Sequence, residues 1–315
     1  MLLKKVETYI AQHHLLLPQA TVLVACSGGA DSVALLHVLM QLGYTCVALH
    51  CNFHLRQEES NRDQAFVESL CKTWNCACHV THFDTQHYAK NHKIGIELAA
   101  RELRYTWFEE QRQATGAQAI AVAHHQDDNI ETSLLHLIRG TGIQGLTGMK
   151  PQNGYIIRPF LGITRADIEQ YLQDNGTAYV TDSTNLQTDY TRNKIRHQLI
   201  PLLQEINPSF CQVMPTNIQN FRATERIYAR YVAQQKKIWY QEKEDEIIIN
   251  LTGLKEQLEA ETLLFEWIKD FKIHPAEVGK ILHAQTGKRF ENKHCIMQVK
   301  RSPVKGYKML IITKL

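Results

Sequence analysis

The stretch Thr21-Val22-Leu23-Val24-Ala25-Cys26-Ser27-Gly28-Gly29-Ala30-Asp31-Ser32-Val33-Ala34-Leu35-Leu36 decides the fold of this chain. An apolar run suited to a strand, Thr21 to Cys26, enters a tight glycine turn, and a helical pattern carrying Val33, Leu35, Leu36, Val38 and Leu39 leaves it. Such a turn gathers free backbone N–H groups and the positive helix end around one point, a seat for phosphate. The spacing G-x-x-x-x-G-K-[ST] is absent, no lysine is near, and the adjacent Gly28 and Gly29 do not form G-x-G-x-x-G. What remains is Ser27, Gly28, Gly29, Ala30 and Ser32 as a wrapping of N–H and O–H donors, with Asp31 suited to holding Mg²⁺ on phosphate oxygens. An ordinary strand-to-helix turn capped by Asp31 or Ser32 fits the same spacing.

Working outward, strands and helices alternate. Cys46 to His50 is expected as a second strand, Cys78 to Phe83 as a third, Ala119 to Ala123 as a fourth and Tyr155 to Pro159 as the last. Helical patterns separate them around Ala65 to Trp74, from Ile96 to Thr115 closed by Gly116, and from about Asp128 to Arg139. This alternation predicts an α/β domain with a doubly wound parallel sheet. Ligands of such sheets bind beyond the carboxyl ends of the strands, so Ser27, His50 and His124, each following a strand, are expected on one rim.

The segment His124-His125-Gln126-Asp127-Asp128-Asn129-Ile130-Glu131-Thr132 is a second constellation. On a helix, Asp127 or Asp128 shares a face with Glu131, and like charges there raise one another's pKa unless a cation intervenes. Mg²⁺, an amine substrate, and simple capping of the helix dipole all fit. The glycine-rich run Gly140 to Gly148 is expected as a mobile loop, and Asp182 to Asn185 as a turn. Arg192-Asn193-Lys194-Ile195-Arg196 places three cations within five residues, suited to phosphates or to a solvated turn.

At 315 residues, 44% apolar and 21% charged, the chain is expected to fold as two globular domains. The expected boundaries are a domain over 1–206, a linker over 207–216 around Asn207-Pro208-Ser209 and Pro215, and a smaller α+β domain over 217–315. Residues 1–210 carry 17 Lys and Arg against 20 Asp and Glu, and residues 211–315 carry 18 against 12. The basic excess therefore lies in the smaller part, compatible with a nucleic-acid partner there and equally with a solvated lysine-rich surface. The eight cysteines include no C-x-x-C, and Cys76 and Cys78 are expected on opposite faces, linked neither by a disulfide nor by a metal. Reduced thiols of a cytoplasmic protein are expected. Met1 to Leu17 is expected as an amphipathic helix stopped by Pro18 rather than a leader, and no run approaches the ~20 apolar residues of a membrane span.

Taken together, Ser27 to Ser32, His124 to Thr132, Arg139-Gly140-Thr141-Gly142, Arg158-Pro159 and Arg192 to Arg196 resemble the tRNA(Ile)-lysidine synthases, members of the N-type ATP pyrophosphatase, or PP-loop, family. The resemblance runs in order over roughly 20–206 and implies an adenine nucleotide alpha-hydrolase-like fold. It implies that ATP adenylates the C2 oxygen of the wobble cytidine of isoleucine tRNA with a CAU anticodon, and that the side-chain amine of L-lysine then attacks C2 and expels AMP. It places Ser27 to Ser32 and His50 on ATP, Asp31 on Mg²⁺, and Arg196 with Arg192 on phosphates. Asp128 and Glu131 fall on lysine, with His124 and Asp127 beside them. Arg101 and Arg104 match the family pattern, in a less defined role. The alternatives are tRNA 2-thiolation, which paired cysteines would favour, and tRNA binding without catalysis. Many members carry a further carboxyl-terminal domain, and this chain ends soon after the first. The sequence gives no oligomeric state, and a homodimer is compatible with it.

Overall fold

A computed structural model describes residues 1–56, 58–181, 191–303 and 306–315. The turn expected at Asp182 to Asn185 lies outside the described residues. Contacts divide the chain into Met1–Phe221 and Arg222–Leu315.

The first unit begins with α1 (Leu2–Gln12), whose apolar face buries Leu2, Val6 and Ile10. It continues through β1 (Thr21–Ala25), α2 (Ala30–Gln41), β2 (Thr45–Asn52), α3 (Glu58–Thr73), β3 (Ala77–His82), α4 (Thr85–His92) and α5 (Ile96–Thr115). After these come β4 (Ala119–Ala121), α6 (Gln126–Arg139), the single turn α7 (Ile143–Leu146), β5 (Gln152–Asn153), β6 (Ile156–Ile157) and α8 (Arg165–Asp174). The sheet order is β3-β2-β1-β4-β6-β5, parallel except for the antiparallel edge strand β5. Val22, Leu23 and Val24 of β1 and Val33, Leu35 and Leu36 of α2 are fully buried, as a central strand covered on both faces requires. The chain builds outward from β1 to β2 and β3, then returns to place β4 on the other side of β1. The strand order therefore reverses between β1 and β4, and the loops after these two strands flank a crevice.

Two expectations change. The run Gly140 to Gly148 is tied to α6 rather than free. Ser133 Oγ donates to Leu146 O at 2.9 Å, His136 Nδ1 lies 2.9 Å from Gly145 O, and Met149 N donates to Asn129 Oδ1 at 2.7 Å. Cys76 and Cys78 share a face, since residues two apart in extended chain point the same way, and both thiols meet that of Cys71.

Beyond the undescribed stretch come α9 (Thr191–Lys194), a π-helical turn (Ile195–Leu199), α10 (Ile200–Ile206) and α11 (Phe210–Trp239). Ile195, Ile200, Met214 and Ile218 pack on Ile130 and Leu134 of α6. Helix α11 covers part of the expected linker, including Pro215, and the division after Phe221 falls inside it.

The second unit contains a five-stranded antiparallel sheet, order β7-β8-β11-β10-β9, from β7 (Tyr240–Glu242), β8 (Glu246–Asn250), β9 (Arg289–Glu291), β10 (Cys295–Arg301) and β11 (Lys308–Lys314). Period-two alternation buries Ile247, Ile249, Cys295, Met297 and Val299 against Leu263, Leu264 and Trp267 of α13 (Ala260–Ile268) and Val278 and Ile281 of α14 (Pro275–Leu282). The short helix α12 (Leu251–Leu254) precedes α13.

Candidate active site

The crevice beside β1 holds a cavity of about 330 Å³. Its walls include Ser27, Gly29, Asp31 and Ser32 from the loop after β1, Phe53 after β2, Arg101, Arg104 and Tyr105 from α5, and His124 and Asp128 after β4.

The loop is shaped by its own hydrogen bonds. Ser27 N donates to Ser32 Oγ at 3.1 Å, and Ser32 Oγ donates to Gly29 O at 2.9 Å, curling the turn over the first residues of α2. Gly28 has φ +92°, where a side chain is strained, and a Cβ there would stand 3.3 Å from Val67 Cγ2 of α3. The absence of a side chain lets this turn pack closely on α3.

Asp31 sits in the first turn of α2. Its Oδ2 accepts from Arg165 Nη1 at 2.6 Å, whereas its Oδ1 is buried without a hydrogen-bond partner. Burial pushes this carboxyl up, and His125 and Arg165 oppose the shift. An orphaned anionic oxygen on a cavity wall fits Mg²⁺, a hard cation that takes one or two carboxylates and completes its shell with water and phosphate. Among the described residues no cluster of three or more His, Cys, Asp or Glu side chains is suited to hold a metal. A single carboxylate oxygen suits a cation that brings its own water and phosphate ligands.

The acidic segment forms a capping box. His125 is the N-cap of α6, and its N–H donates to Asp128 Oδ2 at 3.1 Å. Burial pushes Asp128 up, but His125, His124 and the backbone bond outweigh it and hold the carboxyl below its ordinary value. Its other oxygen accepts from Arg196 Nη2 at 3.1 Å. Glu131, only 1% exposed, lies behind the cavity wall and accepts from Arg196 Nε at 2.6 Å and Nη2 at 3.0 Å, with Arg192 Nε at 3.2 Å. Burial raises Glu131, and the two guanidiniums oppose that shift. Arg192 Nη2 also donates to Thr132 Oγ1 at 2.6 Å. Asp127 turns to α8, accepting from Arg165 N at 3.0 Å.

The remaining expected residues divide. Burial lowers His124 to about 4, so it is neutral near pH 7, and its buried Nδ1 has no hydrogen-bond partner. Arg101 and Arg104 stand on the cavity wall opposite the loop, Arg104 with its guanidinium over the Phe53 ring. His50 does not reach the cavity. Strand alternation turns Leu49 and Cys51 toward it and His50 away, to bond Cys26 O through Nδ1 at 2.9 Å and brace the loop from behind. Glu131 is likewise withdrawn from the cavity, and Arg196 faces carboxylates rather than open space. Sequence reading missed Arg165. It lies 134 residues from its partner Asp31, and its local signal, a residue following a Thr cap, is common.

Residues 2–203 match the PP-loop domain family, and residues 241–301 match the TilS substrate binding domain. A tRNA(Ile)-lysidine synthase of Bacteroides thetaiotaomicron is 48% identical over 93% of this chain and 68% of its own length. That of Parabacteroides distasonis is 47% identical over 90% of this chain and 65% of its own. The chain belongs to the tRNA(Ile)-lysidine synthase family. It spans about two thirds of these two members and, at 39% identity, 45% of the Bacillus subtilis member. Among solved structures, the U34-tRNA thiolase NcsA from Methanococcus maripaludis, described with its [4Fe-4S] cluster, superposes over 69% of this chain and 77% of its own with a TM-score of 0.57. At 14% identity that likeness concerns the PP-loop fold alone. The cavity of this family member is walled by Cys26 and Cys51, whose thiols burial pushes up to about 11 and about 12.

Proposed function

We propose that the chain ligates L-lysine to C2 of the wobble cytidine of isoleucine tRNA bearing a CAU anticodon, using Mg-ATP and releasing pyrophosphate and AMP in the cytoplasm. The observation that carries this reading is the single cavity wall shared by the phosphate-type loop, the unpartnered Asp31 oxygen and Asp128. ATP use follows from the PP-loop family, and the substrate binding domain over residues 241–301 supports a tRNA partner.

In the first step the C2 oxygen of cytidine attacks the α-phosphorus of ATP, and the bond to pyrophosphate breaks. The N–H and hydroxyl groups of Ser27 to Ser32 bind the leaving pyrophosphate as its charge grows; Asp31 would hold a Mg²⁺ ion, which would supply neutralisation of that charge. Arg101 and Arg104 face the same space and suit the α-phosphate or the RNA backbone. In the second step the ε-amine of lysine attacks C2 and AMP leaves. Asp128 presents the cavity-facing carboxylate that attracts the amine, and neutral His124 offers a lone pair to align it. With a pKa of about 4, His124 acts as an acceptor that orients rather than a base that keeps the proton. Glu131 acts through Arg196, which it holds against Asp128.

The test is pyrophosphate release from ATP with unmodified isoleucine tRNA. The expected result is release that requires this tRNA; release of ADP and phosphate instead would overturn the proposal.

A further inference from the structure

Away from the cavity, α3 ends in three thiols. The N–H of Cys76 donates to Cys71 O at 2.9 Å, Asn75 N donates to Lys72 O at 3.3 Å, and Asn75 is left-handed at φ +52°. This is a Schellman closure, in which the side chains three positions before the cap and two after it meet. Here those positions are Cys71 and Cys76. With standard backbone dimensions, the 2.9 Å bond keeps their Cα atoms within about 6.8 Å, inside the range a disulfide spans.

The environment divides the two thiols into unlike roles. Cys71 is 1% exposed in the core, whereas Cys76 is partly exposed. Hydrogen bonding from Cys71 lowers the Cys76 thiol, and the same bonds to Cys76 and Cys78 raise Cys71. The Cys76 thiol also reaches Cys46 O at 3.3 Å, fixing the sulfur beside its neighbour. A partly exposed thiol beside a buried one, held within disulfide reach by the backbone closure, is the arrangement of an attacking and a resolving cysteine.

We propose that Cys71 and Cys76 form a reversible disulfide when the protein meets a hydroperoxide. The Cys76 sulfur attacks one peroxide oxygen, the O–O bond breaks, and the Cys76 proton leaves in the departing water or alcohol. The Cys71 sulfur then attacks the resulting sulfenic acid, and its own proton leaves with the OH as water. The two thiols lose two electrons and two protons, and the peroxide is reduced. Val67 lies one helical turn before Cys71 and stands against Gly28, so the bond forms on the helix that backs the phosphate-type loop.

The test uses the full chain, reduced and then treated with hydrogen peroxide. Remaining thiols are alkylated, and tryptic peptides, which separate Cys71 from Cys76 at Lys72, are mapped without reduction. The expected product joins the Cys71 and Cys76 peptides with loss of two hydrogens and is reversed by dithiothreitol. The Cys78→Ser variant should keep this link and Cys76→Ser should lose it. Peroxide treatment that oxidises Cys76 to sulfinic acid while Cys71 stays free overturns the proposal. So does a link that survives in Cys76→Ser and disappears in Cys78→Ser.

Discussion

Asp31 has one oxygen committed to Arg165 and the other buried without a partner, an arrangement that costs free energy until a cation arrives. Asp31→Asn removes the charge while keeping the shape. Pyrophosphate release should fall by about 100-fold or more, the range seen when one transition-state partner is lost. Near-wild-type release with unchanged Mg²⁺ dependence would remove Asp31 from its role. His124 makes a pH prediction. Its folded pKa, about 4, lies below the ordinary 6.5, so the unfolded chain binds the proton first as pH falls. The stability tied to the neutral ring is therefore complete above pH 6.5 and lost between 6.5 and 4, on the order of 2 kcal/mol after allowing for partial exposure. Melting curves of His124→Asn should be flatter in that window than those of the parent chain.

At the scale of elements, α6 and the segment Thr191 to Leu199 are joined by the ion pairs of Glu131 and Asp128 with Arg192 and Arg196. Glu131→Gln leaves two guanidiniums facing one neutral amide. The expected loss of stability is about 2–3 kcal/mol, below the ~3–5 of a fully buried pair because Arg196 is 35% exposed. Because Glu131 lies behind Asp128, Asp128→Asn should raise the KM for lysine more than Glu131→Gln does. The reverse order would place Glu131 on the substrate. The elements themselves were legible where periodicity was strong. β1, α2 and α5 follow their apolar patterns to within a residue or two, because buried strands and amphipathic helices have no other way to hide those side chains. Helix α4 and the edge strands β7 and β9 were not legible, since their patterns are weak and tertiary contacts decide them.

At the scale of the molecule, the basic excess of residues 211–315 and the substrate binding domain within them suit a phosphate-rich partner. The KM for tRNA should rise steeply between ~50 and ~200 mM salt, by far more than the KM for lysine. Equal shifts would place the salt effect in the catalytic unit. The location of the candidate site could be read from the sequence, because Ser27 and His124 follow strands whose order reverses at β1 and β4. The direction of each side chain could not. His50 and Leu49 differ only in strand face, and Arg165 reaches Asp31 only once the crossovers are folded. The most direct measurement of lysine ligation supplies labelled lysine, labelled ATP and unmodified isoleucine tRNA together. Lysine should enter the tRNA in equimolar amounts with AMP and pyrophosphate, and omitting lysine should hold the label as adenylate on tRNA. AMP and pyrophosphate formed at full rate without lysine in the tRNA would contradict it.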